Sequence, residues 1–384
     1  MTFYDAGETV KKRIVDEETR CFVKILYSGA DGVSEFPYED ILSFELTSYK
    51  AAEGGTVTRA KMELDDADGS YTDGSNAAFK RGLAVEIWFR YGTDGAADFR
   101  RCVLYVGEKG FESLQDGGGE KTCLVELTDY SFFLGRMSVC REWEAALSFS
   151  DFAVCDGEDT EKSLVHGIAA SAKGLCVKRC DNVKLRVPYC ECSRTVWEEL
   201  CELALTYRAY LECEEREIVF TESEYSESHI DRSSQFSLFE DVITHIHGFN
   251  EYEDYANDIL LKYRRKTEDG EAEIRRIFSY DREEIERFGR VPLKKSGSFI
   301  SDGQTGGKDF EQELCDKWLT EHLCGGKIYY ITTFLALANA RVGAYMEIRL
   351  GGGRKTVRAR IDELTLCYKK NAAFETRLWL KGER

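Results

Sequence analysis

Several clusters in this chain have residue types and spacings that could do chemistry. Asp66-Ala67-Asp68-Gly69 looks like the start of a calcium loop, where alternate carboxylates surround a hard cation. Such a loop needs a Glu six residues past its Gly, and that position is Ser75, so the segment reads as an Asp/Gly β-turn. Cys176, Cys180, Cys190, Cys192 and Cys201 are close enough to suggest zinc. A zinc site gathers four thiolate or imidazole ligands from two short knuckles, and these spacings depart from that pattern. They read as buried reduced thiols, with Cys201 on the apolar side of a predicted helix. His245 and His247 alternate, which puts both imidazoles on one face of a strand, yet no third ligand stands at matching spacing. They read as partly exposed strand histidines. Glu142 and Glu144 around Trp143, and the run 251–255, offer the carboxylate pairs a glycosidase needs. Acidic pairs recur throughout a chain with 70 Asp and Glu, so these read as solvated faces. Gly351-Gly352-Gly353-Arg354 lacks the following helix that a phosphate site uses, and reads as a hairpin turn. No nucleophile elbow, Walker loop or zincin motif occurs. No catalytic, cofactor-binding or metal residues are therefore assigned, and no cofactor is expected.

The composition narrows the function classes. The chain has 384 residues and a formal charge of −18, which argues against a nucleic-acid wrapper or a binder of anionic membranes. No apolar run is long enough for a membrane span, and residues 1–8 lack the features of a signal peptide. The expectation is a reducing compartment, with most of the fourteen Cys acting as small buried hydrophobes. Only three Pro against 33 Gly favours tight glycine turns over Pro-rich linkers.

Three blocks of elements must position these residues. Residues 1–150 read as β: Leu42/Phe44/Leu46, Ala60/Met62/Leu64, Val85/Ile87/Phe89/Tyr91, Cys102/Leu104/Val106 and Cys123/Val125/Leu127 alternate at strand period, with glycine turns between. Residues 151–235 read as a small α/β unit. It has a helical stripe of Leu164, Val165, Ile168, Ala169 and Ala172, and a second helix opened by the capping box Thr195/Glu198. Strands at 209–213 and 217–220 follow. Residues 236–384 return to β, with a hairpin at 258–264 and 273–280. One long helix follows, with Asp309 as N-cap and Phe310, Leu314, Trp318 and Leu319 as its stripe. Strands at 327–334, 344–350, 356–362, 364–369 and 374–380 complete the block. Gly82-Leu-Ala-Val-Glu-Ile echoes Gly343-Ala-Tyr-Met-Glu-Ile, each opening a pair of strands. The echo reads either as a structural duplication or as coincidence between two common strand pairs.

The order of these blocks resembles the late-control D type of hub protein, found in the baseplates and tail tips of bacteriophages and contractile injection systems. The resemblance is carried by Met62-Glu-Leu-Asp-Asp-Ala-Asp-Gly69, Phe79-Lys-Arg-Gly82, Val103-Leu-Tyr-Val-Gly107, Val125-Glu-Leu-Thr-Asp129-Tyr, Thr195-Val-Trp197, Asn257-Asp-Ile-Leu-Leu and Val342-Gly-Ala-Tyr-Met-Glu-Ile. It implies a mainly β (α+β) fold: two tail-tube-like β-barrel domains, 1–150 and 236–384, around a small α/β domain, 151–235. It further implies a non-enzymatic structural virion protein of the tail tip or baseplate, assembled in the host cytoplasm. Three copies would form a hub at the distal end of the tail tube, adapting six-fold to three-fold symmetry. The implied partners are the tail tube or a distal tail protein above, a tip or spike below, and the tape measure protein. DNA would pass through the channel without specific binding, and an acidic lumen would suit that passage. The high Cys and low Pro counts depart from the family pattern, and no appended peptidoglycan hydrolase follows the last strand. A tail-associated receptor-binding or adaptor protein, and a β-rich carbohydrate-active protein, are the alternatives.

Overall fold

The computed structural model describes residues 6–15, 20–29, 32–51, 54–67, 69–71, 80–92, 97–107, 112–114, 122–139, 153–180, 194–206, 209–222, 236–250, 255–266, 272–297, 310–323 and 327–382. The chain is mostly strand, as the alternating patterns predict. Helix α1 (Gly7–Ile14) precedes β1 (Cys21–Gly29), β2 (Gly32–Glu35), β3 (Ile41–Lys50), β4 (Gly55–Asp65), β5 (Ala84–Tyr91), β6 (Ala97–Val106), β7 (Glu112–Leu114) and β8 (Thr122–Thr128). Next come α2 (Ser131–Leu134), α3 (Leu164–Ala170), β9 (Cys176–Cys180), α4 (Val196–Thr206), β10 (Ala209–Glu214) and β11 (Glu217–Glu222). The last block holds β12 (Phe236–Phe239), β13 (Ile243–Asn250), β14 (Asp258–Lys266), β15 (Ala272–Tyr280), α5 (Arg282–Phe288), β16 (Pro292–Gly297) and α6 (Phe310–Leu323). It ends with β17 (Lys327–Thr333), β18 (Tyr345–Leu350), β19 (Lys355–Lys369) and β20 (Glu375–Gly382).

Two stretches read as separate strands, 356–362 and 364–369, are one strand. β19 is continuous, with a bulge between Ile361 and Glu363 that keeps Ile361 and Leu364 both facing the core. β19 also joins the two large β regions. One of its edges pairs first with β18 (Tyr345↔Arg360 to Leu350↔Lys355) and then with β3 (Glu363↔Tyr49 to Lys369↔Ser43). Its other edge pairs with β20. One apolar core therefore runs through both regions, from Phe44, Met62 and Phe89 to Ile331, Ile348 and Leu378.

The echo between the two regions is structural. The ladders run β3–β4–β8–β6–β5 in the first and β13–β17–β20–β19–β18 in the second. The register agrees residue by residue: Thr47↔Arg59↔Thr128 corresponds to Phe249↔Ile328↔Lys381, and Glu45↔Lys61↔Glu126 to His247↔Tyr330↔Trp379. Both entry strands carry a bulge at the same place, between Ile41 and Ser43 and between Ile243 and His245. Gly82 and Gly343 both have positive φ, 77° and 85°. Each donates its N–H across the strand pair, to Val106 O (2.8 Å) and Ile361 O (2.7 Å), and the same residue bonds back to the position after the Gly. Among the described residues these ladders form an open path, and none closes a barrel within the chain.

Two smaller cores flank this frame. β6 is buried on both faces: Leu104 and Val106 face the large core, while Val103 and Tyr105 face the α/β core of Leu164, Ile168, Leu200, Leu211 and Phe220. β10 adds to β4 in parallel (Leu211↔Gly55), which fastens the α/β unit to the first β region. α4 then lies against the chain at Gly54 and Gly55. A Cβ on Gly55 would sit 2.5 Å from Trp197 Cζ2, so only glycine fits there. The capping box forms as predicted: Glu198 accepts from Thr195 N (3.0 Å), and Thr195 Oγ1 accepts from Glu198 N (3.4 Å). The third core lies in an insertion between β13 and β17. There a three-stranded sheet, β15–β14–β16, packs Ile259 and Leu261 against Cys315, Trp318 and Leu319 of α6. The predicted N-cap Asp309 lies outside the described residues, as do the side chains of Phe310 and Leu314.

Candidate functional site

The clusters singled out for chemistry do not converge. Asp66 is buried and its Oδ1 accepts the Tyr71 N–H at 2.8 Å, which is turn geometry. Cys176 is exposed, Cys201 is buried in the α4 core, and Cys190 and Cys192 lie outside the described residues. Cys180 stands beside Cys155, with a Cα–Cα distance of 5.9 Å that would suit a disulfide. That neighbour is 25 residues away, beyond the short spacings that define metal knuckles. Burial pushes the thiols of Cys123 and Cys315 up to about 11, so neither is a nucleophile near neutral pH. Glu142, Trp143, Glu144 and 251–254 lie outside the described residues. Among the described residues no group of three or more His, Cys, Asp or Glu is placed to hold a metal ion.

One Ser–His contact carries no signal in the sequence. Ser163 Oγ lies 2.7 Å from His166 Nδ1. Ser163 is fully buried and its Oγ also caps α3, so it serves the helix and is closed to a substrate. A groove of about 480 Å³ lies between β5–β6 and the β10–β11 turn, beside Cys176 and Arg216. Arg100 crosses it, pairing with Glu86 (3.3 Å) and Glu215 (2.6 Å), so opposite charges there satisfy one another.

Buried charges collect where three parts of the chain meet. Arg341, which precedes β18, donates from Nε to Glu212 Oε2 (2.9 Å) and from Nη2 to Glu212 and to Glu214 Oε1 (3.0 Å). Tyr210 OH donates to Glu212 Oε2 at 2.9 Å, and Lys178 Nζ reaches Glu214 at 2.9 Å. Burial pushes Asp129 up to about 6, against hydrogen bonds from Ser131 and from the Thr58 N–H. The Arg341 contacts tie the second β region to the α/β unit, and Asp129 fixes the end of β8 against β4. Such a network fixes relative placement and offers no reacting centre.

The feature of largest extent is a continuous antiparallel sheet face through β13–β17–β20–β19–β3–β4–β8. Its inner side is the large core. Its outer side carries acids and bases in near-equal number, among them Glu45, Glu63 and Glu126 with Arg59, Lys61 and Arg377, so neither sign is in large excess there among the described residues. The chain's net −18 is not concentrated on this face. Its far end is aromatic. His245 and His247 share a face, as strand alternation predicts, and His247 packs on Phe249 (5.6 Å) while Phe249 meets Trp379 (5.4 Å). His245 and Trp379 both approach Tyr330. The equivalent positions in the first region are charged: Glu45 for His247, Lys61 for Tyr330 and Glu126 for Trp379.

Two edges of this face have no ladder partner among the described residues. One is the outer edge of β13, and the other is the edge of β7 away from β8. Their placement follows from the duplication. β7 pairs with β8 (Glu112↔Leu124) as the end of β19 pairs with β20 (Thr365↔Arg377). β13 occupies in the second region the place of β3 in the first. The seam β3–β19 thus joins the same two kinds of edge that are left open at β13 and β7. The matching leaders Glu39-Asp40-Ile41 and Glu240-Asp241-Val242-Ile243, each beginning within a short 3₁₀ turn before its entry strand, were the sequence signal for this repeat.

No protein-family model matches the chain, and no curated protein matches it. Solved structures do. A tail protein from Neisseria meningitidis superposes with a TM-score of 0.60 at 11% identity, covering 94% of this chain and 96% of that one. The 43 kDa tail protein of prophage MuSo2 from Shewanella oneidensis gives 0.58 at 12% identity, covering 93% and 98%. A prophage tail protein from Listeria monocytogenes gives 0.55 at 11% identity, covering 94% of each. With nearly full coverage in both directions, the chain has the fold of these phage and prophage tail proteins.

Proposed function

We propose that this chain is a structural virion protein that forms a trimeric hub at the distal end of a phage tail tube. The observation that carries the reading is the β3–β19 seam. A seam joining two near-copies within one chain is a head-to-tail contact, and repeating such a contact between chains gives a ring where its rotation closes. Three copies supply six near-equivalent β units, which suits a six-fold tube above and a three-fold tip below. In this reading 1–150 and 236–384 are the two tube-like barrel domains and 151–235 is the α/β domain between them. The barrel closes only in the assembly, where β13 of one copy pairs with β7 of the next. Transferring the seam register gives Phe249↔Glu112, Gly248↔Ser113 and His247↔Leu114. The open sheet face would then line the channel for DNA. Its nearly balanced charges replace the acidic lumen expected from composition, and a surface without a large basic excess would not hold phosphate. The protein is read as non-enzymatic, resident in the tail tip or baseplate of the virion, and assembled in the host cytoplasm. A tube or distal tail protein, a tip or spike, and the tape measure are its proposed partners. The adaptor or receptor-binding alternative leaves the two complementary edges without a use.

Native mass and electron-microscopy class averages test the hub reading, and a His247→Cys/Leu114→Cys pair tests its register. Directly opposed Cβ atoms lie about 4.5–5.5 Å apart, within range of a disulfide after small adjustment. The expected result is a three-fold ring whose subunits become covalently linked only when both cysteines are present. A monomer at all concentrations overturns the hub. A ring that never cross-links overturns the register.

A further inference from the structure

The inserted sheet β15–β14–β16 has one covered face and one open face. α6 covers the side of Ile259, Leu261, Ile277 and Leu293. The open side presents the rows Tyr280–Asp258–Pro292, Phe278–Leu260–Lys294 and Arg276–Lys262. Ile274, Phe278 and Tyr280 are each more than half exposed there. Large apolar side chains this exposed, on adjacent rows of one sheet, mark a contact surface more often than chance scatter.

Among the described residues, the charges around them that lack an ion-pair partner are positive. Lys262, Arg276 and Lys294 are exposed, and none has an ion-pair partner among the described residues. Asp258, the acid of the open face, is held by Arg290 at 3.3 Å. This is a cationic island with an aromatic centre on a chain of net charge −18. The same field that repels an acidic partner elsewhere would direct it to this place. Nucleic acid is disfavoured because the centre of the face is apolar and its cations are few.

We propose that the open face of this inserted sheet docks a separate protein that presents carboxylates around an aromatic or aliphatic anchor. Phe278 and Leu260 would receive the anchor, and Arg276, Lys262 and Lys294 the carboxylates. The surface stands whether or not the chain forms a ring.

A fluorescent glutamate–tyrosine copolymer serves as the probe, with polyglutamate and a short DNA duplex alongside it. Wild type is expected to bind the copolymer more tightly than polyglutamate, with affinity falling as salt rises. Phe278→Ala and Arg276→Glu should each weaken binding about tenfold or more while leaving the thermal midpoint unchanged, as both side chains are exposed. Absence of copolymer binding, or binding that both variants retain, overturns the proposal. So does tighter DNA binding lost in the same variants. Self-association lost in the same variants, read by sedimentation velocity, also overturns it and assigns the face to a contact between copies.

Discussion

Replacing Arg341 by methionine should loosen the α/β unit from the rest of the molecule. The Arg341 side chain is 17% exposed and that of Glu212 is 9% exposed, so the pair is largely out of water. Removing one partner of a buried pair costs about 3–5 kcal/mol, because the other charge is left without compensation. Two features reduce that figure here. Glu212 keeps the Tyr210 hydroxyl at 2.9 Å, and Glu214 keeps Lys178 at 2.9 Å. A methionine also keeps an unbranched side chain of similar reach beside the Tyr210 ring, over which the Arg341 guanidinium lies at 5.5 Å. The expected loss is about 2–3 kcal/mol. If the loss comes from a stranded carboxylate, then Glu212→Gln in the Arg341→Met background should recover about 1 kcal/mol or more, a coupling read from the double-mutant cycle. Denaturant unfolding gives the stability change. Hydrogen exchange locates it, with faster exchange expected in β10 and β11 while β17 and β20 are unaffected. A single variant within about 0.5 kcal/mol of wild type, or strictly additive losses, would refute a stabilising role for the junction.

Gly55→Val should destabilise the chain by roughly 1–3 kcal/mol, since its side chain would overlap Trp197 and Cys201, and Trp197→Ala in the same chain should relieve part of the loss. Thr195→Ala removes the hydroxyl half of the capping box and should cost about 1 kcal/mol, measured by urea unfolding; Thr195→Ser should cost less. Asp129 gives a pH dependence of defined sign. Burial raises its folded pKa from the ordinary value of 3.8 to about 6, so its carboxyl favours the folded state at low pH, and that contribution is lost as pH rises through about 6. The stability of wild type relative to Asp129→Asn should therefore fall between about pH 4 and pH 6. A difference curve flat across that window would show that Asp129 titrates normally.

The strand periods were legible because burial on one face imposes alternation that local sequence must obey. Val85, Ile87, Phe89 and Tyr91 are all buried in the structure, and the Thr195/Glu198 box opens α4. The duplication was legible at Gly82 and Gly343, where positive φ restricts residue choice, and in the two Glu-Asp leaders at 39–40 and 240–241. Elsewhere it is hidden, because the corresponding residues on the open face differ in chemistry: Lys61 against Tyr330, Glu45 against His247. The two-sided burial of β6 was also hidden. Its outer face is covered by a unit whose arrival no pattern within β6 announces beyond Val103 and Tyr105 being apolar. The Cys155–Cys180 pair escaped for the same reason, since its members meet through folding and not through spacing.

By itself the sequence determined the most regular strands and helices, where glycine turns fall between them, and that no familiar catalytic motif is present; α1, β1, α5 and β16 carried no pattern strong enough to be read. Side-chain period and capping are local, so they are written in neighbouring residues. Tertiary structure alone decided which strands pair, that β19 is the shared strand, and that β13 and β7 are left as open edges. Strand pairing is made by backbone N–H and C=O groups that nearly every residue carries alike, so the choice of partner leaves little trace in residue identity.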